Sequence, residues 1–340
     1  MAGNDPSVGI GILNWNGKKF LEQFLHHLYL VTYPNLTIYV IDNDSTDDSI
    51  HYLQTHHPAV KIIETGGNFG VAGGYNRGFE KMPEKYLLML NSDVEVTPGF
   101  LEPLVELLEQ NTNIAVVQPK ILSFQDRTRF EHAGAAGGMI DILGYPFCRG
   151  RIFENVELDK GFYNDTAEIF WASGACCLIR KSAFDRVNGF YEYFFMHSEE
   201  IDLCWRMIAA GYQVFYHASS SVYHLGGGSL HYNSSRKIYF NFRNNIIMCY
   251  KNSPILVRLW LIPLRCILDL MAISKFLAGG QFSFAKAVLN AYGSFCKWTL
   301  SGKQTKTETK SLDNISIVLN KSIVFEYYIN GKKTYHELRK

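Results

Sequence analysis

The feature that most constrains this fold is an alternation of apolar strands and amphipathic helices near the start of the chain. Apolar, β-branched stretches at residues 8–13, 36–41 and 60–64 predict strands, and helical spacing at residues 19–30 and 49–55 follows the first two. This alternation predicts an α/β fold with a mostly parallel central sheet and helices on both faces. Ligands bind such sheets at the carboxyl ends of the strands, so polar residues at strand ends are the first candidates for a site.

A buried strand predicted at residues 86–90 ends abruptly in the polar triplet Asn91, Ser92 and Asp93. A carboxylate at this position can hold a divalent cation, which makes Asp93 a candidate metal ligand. The alternative is that the triplet only forms a turn and caps a helix predicted at residues 98–109, because Asn, Ser and Asp favour both.

A glycine-rich segment at residues 66–78 follows the third strand and leads into a helix. Free N–H groups and the helix dipole favour a phosphate group at such a position, although a flexible surface loop is the alternative. Neither the dinucleotide fingerprint G-x-G-x-x-G nor the P-loop G-K-[ST] occurs here. Their absence argues against a hydride-transfer enzyme and a P-loop NTPase.

Composition narrows the classes of protein further. The 340 residues contain 33 Lys plus Arg against 32 Asp plus Glu, so the chain lacks the basic field of a nucleic-acid binder, and we expect no nucleic-acid partner. Seven cysteines without a C-x-x-C pair predict a reducing compartment. With neither a secretory pattern at the N-terminus nor an uncharged apolar run of ~18 residues, the sequence predicts a cytoplasmic protein.

Two polar clusters in the second half are candidates for chemistry. Glu199, Glu200 and Asp202 open a predicted helix, where acidic residues suit the helix dipole. Alternatively, one of the three is a general base whose pKa is raised by neighbouring aromatic residues. His224 ends a short predicted strand, and it is either a structural histidine or a ligand.

The C-terminal third contains two long apolar segments, at residues 255–273 and 282–300, with charged residues confined to stripes about 40° wide. The stripes consist of Arg258, Arg265 and Asp269 in the first segment, and of Lys286, Asn290 and Lys297 in the second. Such helices pack in a bundle or lie in a membrane interface with Lys and Arg directed at headgroups, and the second arrangement is favoured. We expect the polar residues 301–310 to form a linker. Residues 323–329 and 332–338 are predicted to be the two strands of a β-hairpin, because Asn330-Gly331 between them is a strong two-residue turn signal.

In this order, these segments resemble the family 2 glycosyltransferases of the GT-A fold, especially bacterial rhamnosyltransferase-like members, over residues 8–252. The matching segments are LNWNG at 13–17, DNDSTD at 42–47, NFGVAGGYNRG at 68–78, NSD at 91–93 in the D-x-D position, SGAC at 173–176, GF at 189–190, EEIDL at 199–203 and VYH at 222–224. The resemblance implies a catalytic domain at 1–252, with a nucleotide-sugar half at about 1–95 and an acceptor half at about 96–252. Interfacial helices at 253–300 and the linker and hairpin at 301–340 would follow.

The resemblance also implies an activity, which is inverting transfer of a sugar, with rhamnose suggested, from a nucleotide diphosphate donor to a glycan or lipid-linked acceptor. The setting would be bacterial surface polysaccharide synthesis at the inner face of the cell membrane, with contact to the membrane surface. Asp93 and His224 would bind Mg²⁺ or Mn²⁺, and Glu200 is the favoured base. The implied nucleotide-sugar-binding residues are Asn14, Asp42, Asn68, Gly73, Asn76, Asn91, Ser92, Lys237 and Arg243.

Two residues depart from the family pattern. Asn91 replaces the first Asp of D-x-D, and Glu200 stands where the family has Asp. A non-catalytic nucleotide-sugar or glycan binder of the same fold is therefore the alternative. For Lys237 and Arg243, the alternative is ordinary charge on a helix surface.

Overall fold

The computed structural model describes residues 5–226, 234–302 and 308–339. The strands in these ranges are β1 (Val8–Asn14), β2 (Leu36–Asp42), β3 (Lys61–Glu64), β4 (Tyr86–Asn91), β5 (Val94–Val96), β6 (Ile114–Ser123), β7 (Gly138–Ile140), β8 (Pro146–Cys148), β9 (Arg151–Ile152), β10 (Asn155–Val156), β11 (Thr166–Ile169), β12 (Cys176–Arg180) and β13 (Gln213–His224). The α-helices are α1 (Lys18–Phe24), α2 (Ser49–His56), α3 (Gly70–Glu80), α4 (Leu101–Gln110), α5 (Lys181–Arg186), α6 (Glu199–Ala209), α7 (Ser235–Asn252), α8 (Ile255–Ala278), α9 (Phe282–Leu300), α10 (Ile323–Tyr328) and α11 (Tyr335–Leu338).

The central sheet has the strand order β3-β2-β1-β4-β12-β6-β13-β11, and β5 pairs with β13. The first four strands of this order are parallel, as predicted. The other half is mixed, because β12 is antiparallel to both of its neighbours whereas β6 and β13 are parallel. A second, antiparallel sheet of β7 to β10 lies in the long irregular region that follows β6.

The central strand β4 is buried on both faces, as its apolar sequence predicts. Leu87 and Met89 belong to the hydrophobic core that includes the buried face of α3. Leu88 and Leu90 point to the opposite face and belong to the core that includes α4. Since successive side chains of a strand alternate between faces, helices must cover both sides of the sheet here. Only the carboxyl end of β4, at Asn91, is free to meet a ligand.

The polar triplet after β4 does not cap a helix. The helix α4 begins only at Leu101, whereas Asp93 lies in the turn between β4 and β5. The short strand β5 pairs with the end of β13, so that Val94 lies opposite His224. The helix-cap alternative is therefore wrong, and this pairing brings Asp93 and His224 together.

The predicted C-terminal hairpin is also wrong, since the two predicted strands are replaced by the helices α10 (Ile323–Tyr328) and α11 (Tyr335–Leu338). The side chain of Ser322 caps α10, and Thr334 forms a capping box with Glu337 at the start of α11. These caps satisfy N–H groups that a hairpin would need for its strand pairing. The Asn330-Gly331 turn is retained, with Gly331 at a φ of 70°, but it connects helices rather than strands.

The helices α7, α8 and α9 pack together, and α8 has an unexpected orientation. Its Arg265 and Asp269 are each only 2% exposed, because they contact Tyr145 and Tyr292 inside the protein. The prediction that this charged stripe faces membrane headgroups is therefore wrong for α8. Within the described ranges, none of the helices combines the length and hydropathy that a membrane-crossing segment needs.

Candidate active site

A cavity of about 360 Å³ opens at the carboxyl ends of β1 and β4 and at the end of β13. This volume is typical of sites for small molecules and cofactors. Six residues that the sequence predicts for the site line it, namely Asn68, Asn91, Ser92, Asp93, His224 and Lys237. The topology of the sheet thus brings together side chains that are far apart in the sequence.

The centre of the site is the pair formed by Asp93 and His224. Nε2 of His224 lies 3.1 Å from Oδ1 of Asp93, and Nδ1 on the other side of the ring lies 3.4 Å from Oε2 of Glu131. Burial lowers the pKa of His224, but the two carboxylates outweigh this effect and raise its pKa to about 10. In the absence of a metal, the imidazole is therefore protonated and paired with acids on both sides.

The Asp93 and His224 pair fits a divalent cation. Two ligands at about 2.1 Å on adjacent corners of an octahedral Mg²⁺ lie about 3 Å apart, which is close to the observed separation. Asn91 also lies nearby, with Nδ2 3.5 Å from Nε2 of His224. In the part of the chain that the structure describes, there is no cluster of three or more His, Cys, Asp or Glu suited to a metal. A cation here would need further oxygen ligands from outside the protein.

Asn14 and Asp42 lie near the cavity but do not line it. Nδ2 of Asn14 donates to Oδ1 of Asp42 at 3.1 Å and to Oγ of Ser45 at 3.0 Å. Oδ2 of Asp42 accepts from the backbone N–H of Ser45. Both side chains are nearly inaccessible to solvent. They hold the turn after β2 against the end of β1, where Trp15 forms part of the cavity wall.

Three other predicted donor-binding residues contact the protein itself. The side chain of Asn76 bonds both the N–H and the carbonyl of Phe190. Gly73 is buried in α3, where a Cβ would come within 2.7 Å of the Phe69 side chain. Arg243 donates through Nη2 to the carbonyls of Tyr193 and Phe194. Asn76, Gly73 and Arg243 therefore lie near the cavity without lining it, and their side chains or backbone are engaged by the protein itself.

The carbonyls that Arg243 holds belong to the loop before α6. Asn244 next to it donates to the carbonyls of Phe194, Met196 and His197. In this loop Phe195, His197 and Ser198 have positive φ angles, which are strained for residues other than glycine. The α7 side chains therefore fix a loop whose residues 195–197 line the cavity.

Glu199 and Glu200 begin α6 directly after this loop. Neither carboxyl lines the cavity in this structure, and within the described ranges one oxygen of each has no hydrogen-bond partner. Burial raises the pKa of Glu200 to about 7, and burial together with the nearby Glu200 raises the pKa of Glu199 well above its ordinary value. Glu200 thus has the pKa that a general base needs near neutral pH.

Asp202 does not fit the role of a base. Its Oδ1 lies 2.8 Å from Nζ of Lys251 and accepts from Nδ2 of Asn252, and its Oδ2 accepts from Nε of Arg206. Burial raises its pKa, but the charges of Lys251 and Arg206 outweigh this effect and hold the pKa below the ordinary value. Both oxygens are engaged, so Asp202 is a structural residue that joins α6 to α7.

Several residues of the cavity wall are absent from the sequence-based set. Glu131 and His132 come from the long region between β6 and β11, and a region of such length inside a domain usually has a function. His197 comes from the loop before α6, and Arg236 lies in the first turn of α7 beside Lys237. Burial lowers the pKa values of His132 and His197 to about 4, so both imidazoles are neutral at neutral pH.

Comparison with known proteins agrees with this geometry. The model of the family "Glycosyl transferase family 2" matches residues 9–187. The chain is 29% identical over 219 residues to an N-acetylglucosaminyl-diphospho-decaprenol L-rhamnosyltransferase of Mycobacterium tuberculosis (strain CDC 1551 / Oshkosh), covering 60% of this chain and 71% of the relative.

Two solved structures share the fold. The mannosyltransferase PcManGT from Pyrobaculum calidifontis, in complex with GDP-Man and Mn²⁺, has a TM-score of 0.52 and 14% identity, covering 88% of this chain and 84% of that one. GalNAc-T7 with UDP, GalNAc and Mn²⁺ has a TM-score of 0.56 and 16% identity, covering 73% of this chain. This chain spans only 48% of the GalNAc-T7 chain. The predicted GT-A fold is confirmed.

Proposed function

Because the chain belongs to glycosyl transferase family 2, we propose that this glycosyltransferase is a metal-dependent, inverting enzyme. It transfers a sugar from a nucleotide diphosphate donor to an acceptor hydroxyl in one displacement. The observation that carries the proposal is the pair of Asp93 and His224, which separate strands bring to 3.1 Å at the wall of the cavity.

The reaction forms one bond and breaks one bond. The acceptor oxygen bonds to the anomeric carbon while the bond between that carbon and the diphosphate breaks, so the configuration inverts and nucleoside diphosphate leaves. The carboxylate of Glu200 takes the proton of the acceptor hydroxyl, for which its pKa of about 7 is suited. Glu200 follows the loop whose residues 195–197 line the cavity, and in this proposal a shift of that loop on acceptor binding brings Glu200 to the acceptor hydroxyl.

Asp93 and His224 would hold Mg²⁺ or Mn²⁺, which when bound stabilises the charge that develops on the leaving diphosphate. Lys237, on the same wall, attracts the donor phosphates. Asn68 and Ser92 offer hydrogen-bonding groups to the rest of the donor. In this proposal, the donor half ends at about residue 95, just after Asp93.

The sugar and the acceptor are proposed from the relative in Mycobacterium tuberculosis, whose name specifies an L-rhamnosyltransferase and N-acetylglucosaminyl-diphospho-decaprenol. This name supports rhamnose as the sugar and a glycan on a lipid carrier as the acceptor in bacterial surface polysaccharide synthesis. A lipid-linked acceptor stays at the membrane. The enzyme would therefore work as a peripheral protein at the inner face of the cell membrane.

The test is release of nucleoside diphosphate from a panel of nucleotide sugars, with Mg²⁺, Mn²⁺ or a chelator present. We expect metal-dependent release from at least one donor, which Asp93→Ala abolishes because it removes the only carboxylate of the pair. Asp185→Ala, which removes an exposed carboxylate from α5, is the matched control and should behave like the parent. A parent chain that binds nucleotide sugars but releases no diphosphate under any condition would instead be the non-catalytic binder.

A further inference from the structure

The helix α8 presents an apolar face to solvent. Its 24 residues span about 36 Å, and six large apolar side chains are each between 57% and 75% exposed. They are Ile255, Leu256, Leu259, Ile267, Leu270 and Met271. At ~100° per residue these six occupy an arc about 160° wide, and no charged residue of α8 falls within it. Below, these six residues are called the α8 apolar face.

The protein fixes this orientation through the opposite side of α8. The guanidinium of Arg265 lies 3.6 Å from the centre of the Tyr145 ring and donates to the carbonyl of Leu143. Asp269 accepts from the hydroxyls of Tyr145 and Tyr292, at 3.1 and 2.7 Å. Rotating α8 to bury its apolar face would leave these two charged groups without their buried partners. The exposure of the α8 apolar face is therefore built into the fold.

The charges of α8 and α9 restrict what can cover the α8 apolar face. Lys275, Lys286 and Lys297 are exposed on α8 and α9. Asp269 is the only acidic residue between 255 and 302, and it is buried. An apolar face on a segment whose fully exposed charges are all cations, and which lacks exposed carboxylates, complements the surface of an anionic bilayer. A second copy would bring to the contact only the same cations from this segment.

We propose that the α8 apolar face lies in the boundary between headgroups and acyl chains of an anionic bilayer, with Lys275, Lys286 and Lys297 at lipid phosphates. This inference rests on the membrane location proposed above and specifies the surface that makes the contact. It differs from the arrangement expected for α8 from its sequence in one respect, because Arg265 and Asp269 face the protein and not the headgroups. The inference depends neither on which sugar is transferred nor on which carboxylate is the general base.

The experiment is flotation of the full-length chain with vesicles of phosphatidylcholine, alone or mixed with phosphatidylglycerol. We expect binding that is stronger to the mixed vesicles and that weakens with salt. Leu259→Glu together with Leu270→Glu should lower vesicle affinity roughly tenfold or more, because two exposed leucines no longer enter the lipid. Each lysine of the set should contribute about fivefold, so Lys286→Glu with Lys297→Glu should remove most of the preference for anionic lipid.

The matched control is Phe162→Glu, which changes a side chain that is 74% exposed outside the C-terminal helices. It should bind vesicles like the parent. The proposal is overturned if the leucine double variant also binds like the parent, or if the parent ignores vesicles. A dimer that only the leucine variant dissociates, without vesicle binding, would assign the α8 apolar face to a second copy. Nucleoside diphosphate release by the same variants reports separately on the transferase reaction.

Discussion

Replacement of Glu200 by Gln should change stability and activity in opposite directions. Burial raises the pKa of this carboxyl from the ordinary 4.5 to about 7. Between these two pH values the unfolded chain has lost this proton while the folded chain still holds it, so the parent becomes less stable as pH rises. The two pKa values differ by about 2.5, and at 1.36 kcal/mol per pKa unit this corresponds to about 3 kcal/mol of lost stability. The loss is complete above the pKa of the folded state.

The glutamine variant cannot ionise at this position, so it does not lose stability in this way as the pH rises. We expect Glu200→Gln and the parent to have similar free energies of unfolding below about pH 4.5, and the variant to be more stable by up to about 3 kcal/mol near pH 8. Urea denaturation at both pH values measures the difference. If the difference does not grow with pH, the carboxyl is not held protonated and the pKa argument fails.

The same variant tests the base. Loss of a general base costs about 10² to 10⁴ in rate, while donor binding with metal should remain as in the parent. The parent rate should rise with pH and level off above about 7, because Glu200 must be ionised to accept the proton. Glu199→Gln is the matched control, since it removes the adjacent buried carboxyl. If Glu199→Gln loses transfer and Glu200→Gln does not, Glu199 is the base.

Three further substitutions test the roles that the contacts assign. Asp202→Asn should cost about 3–5 kcal/mol of stability in denaturation experiments, because Lys251 stays buried without its counter-charge, and unchanged stability would contradict a structural role. Arg243→Met should lower kcat by loosening the loop before α6 while the donor Kd stays constant, and a higher donor Kd would support the donor-binding role predicted for Arg243. Glu131→Gln should weaken Mn²⁺ binding in the presence of nucleoside diphosphate about 10- to 100-fold, if its carboxylate orients His224 as carboxylates orient metal-binding histidines. Equal Mn²⁺ affinity would exclude that role.

The position of Asp93 was predictable because it follows from topology. A strand that is apolar over residues 86–90 must be central, and the first polar side chains after it must lie at the ligand-binding edge. The partner His224 was harder to place. Its contact with Asp93 depends on β5, and this strand of three residues is too short to be predicted from a sequence pattern.

Predicted site residues whose side chains bond to the protein show a different limit of sequence analysis. Asn76, Asp202 and Arg243 lie within residues 8–252, which resemble the family, and near segments that line the cavity. Their side chains nevertheless bond to the protein, and Arg243 bonds to carbonyls that lie 49 and 50 residues earlier in the chain. Sequence spacing indicates that such a residue is near the site, but only long-range contacts decide whether it faces a ligand or a backbone carbonyl.

The orientation of α8 follows from the same kind of long-range contact. Helical periodicity shows that Arg265 and Asp269 share one side, and hydrophobic burial alone would direct that side to water. Tyr145, from a distant turn, and Tyr292, from α9, reverse the outcome because they supply hydroxyl donors and a ring face to both charges. Once these charges are satisfied inside the protein, the apolar side must face outward. A helix whose polar side contacts the protein leaves its apolar side exposed to water, and a lipid bilayer can cover that side.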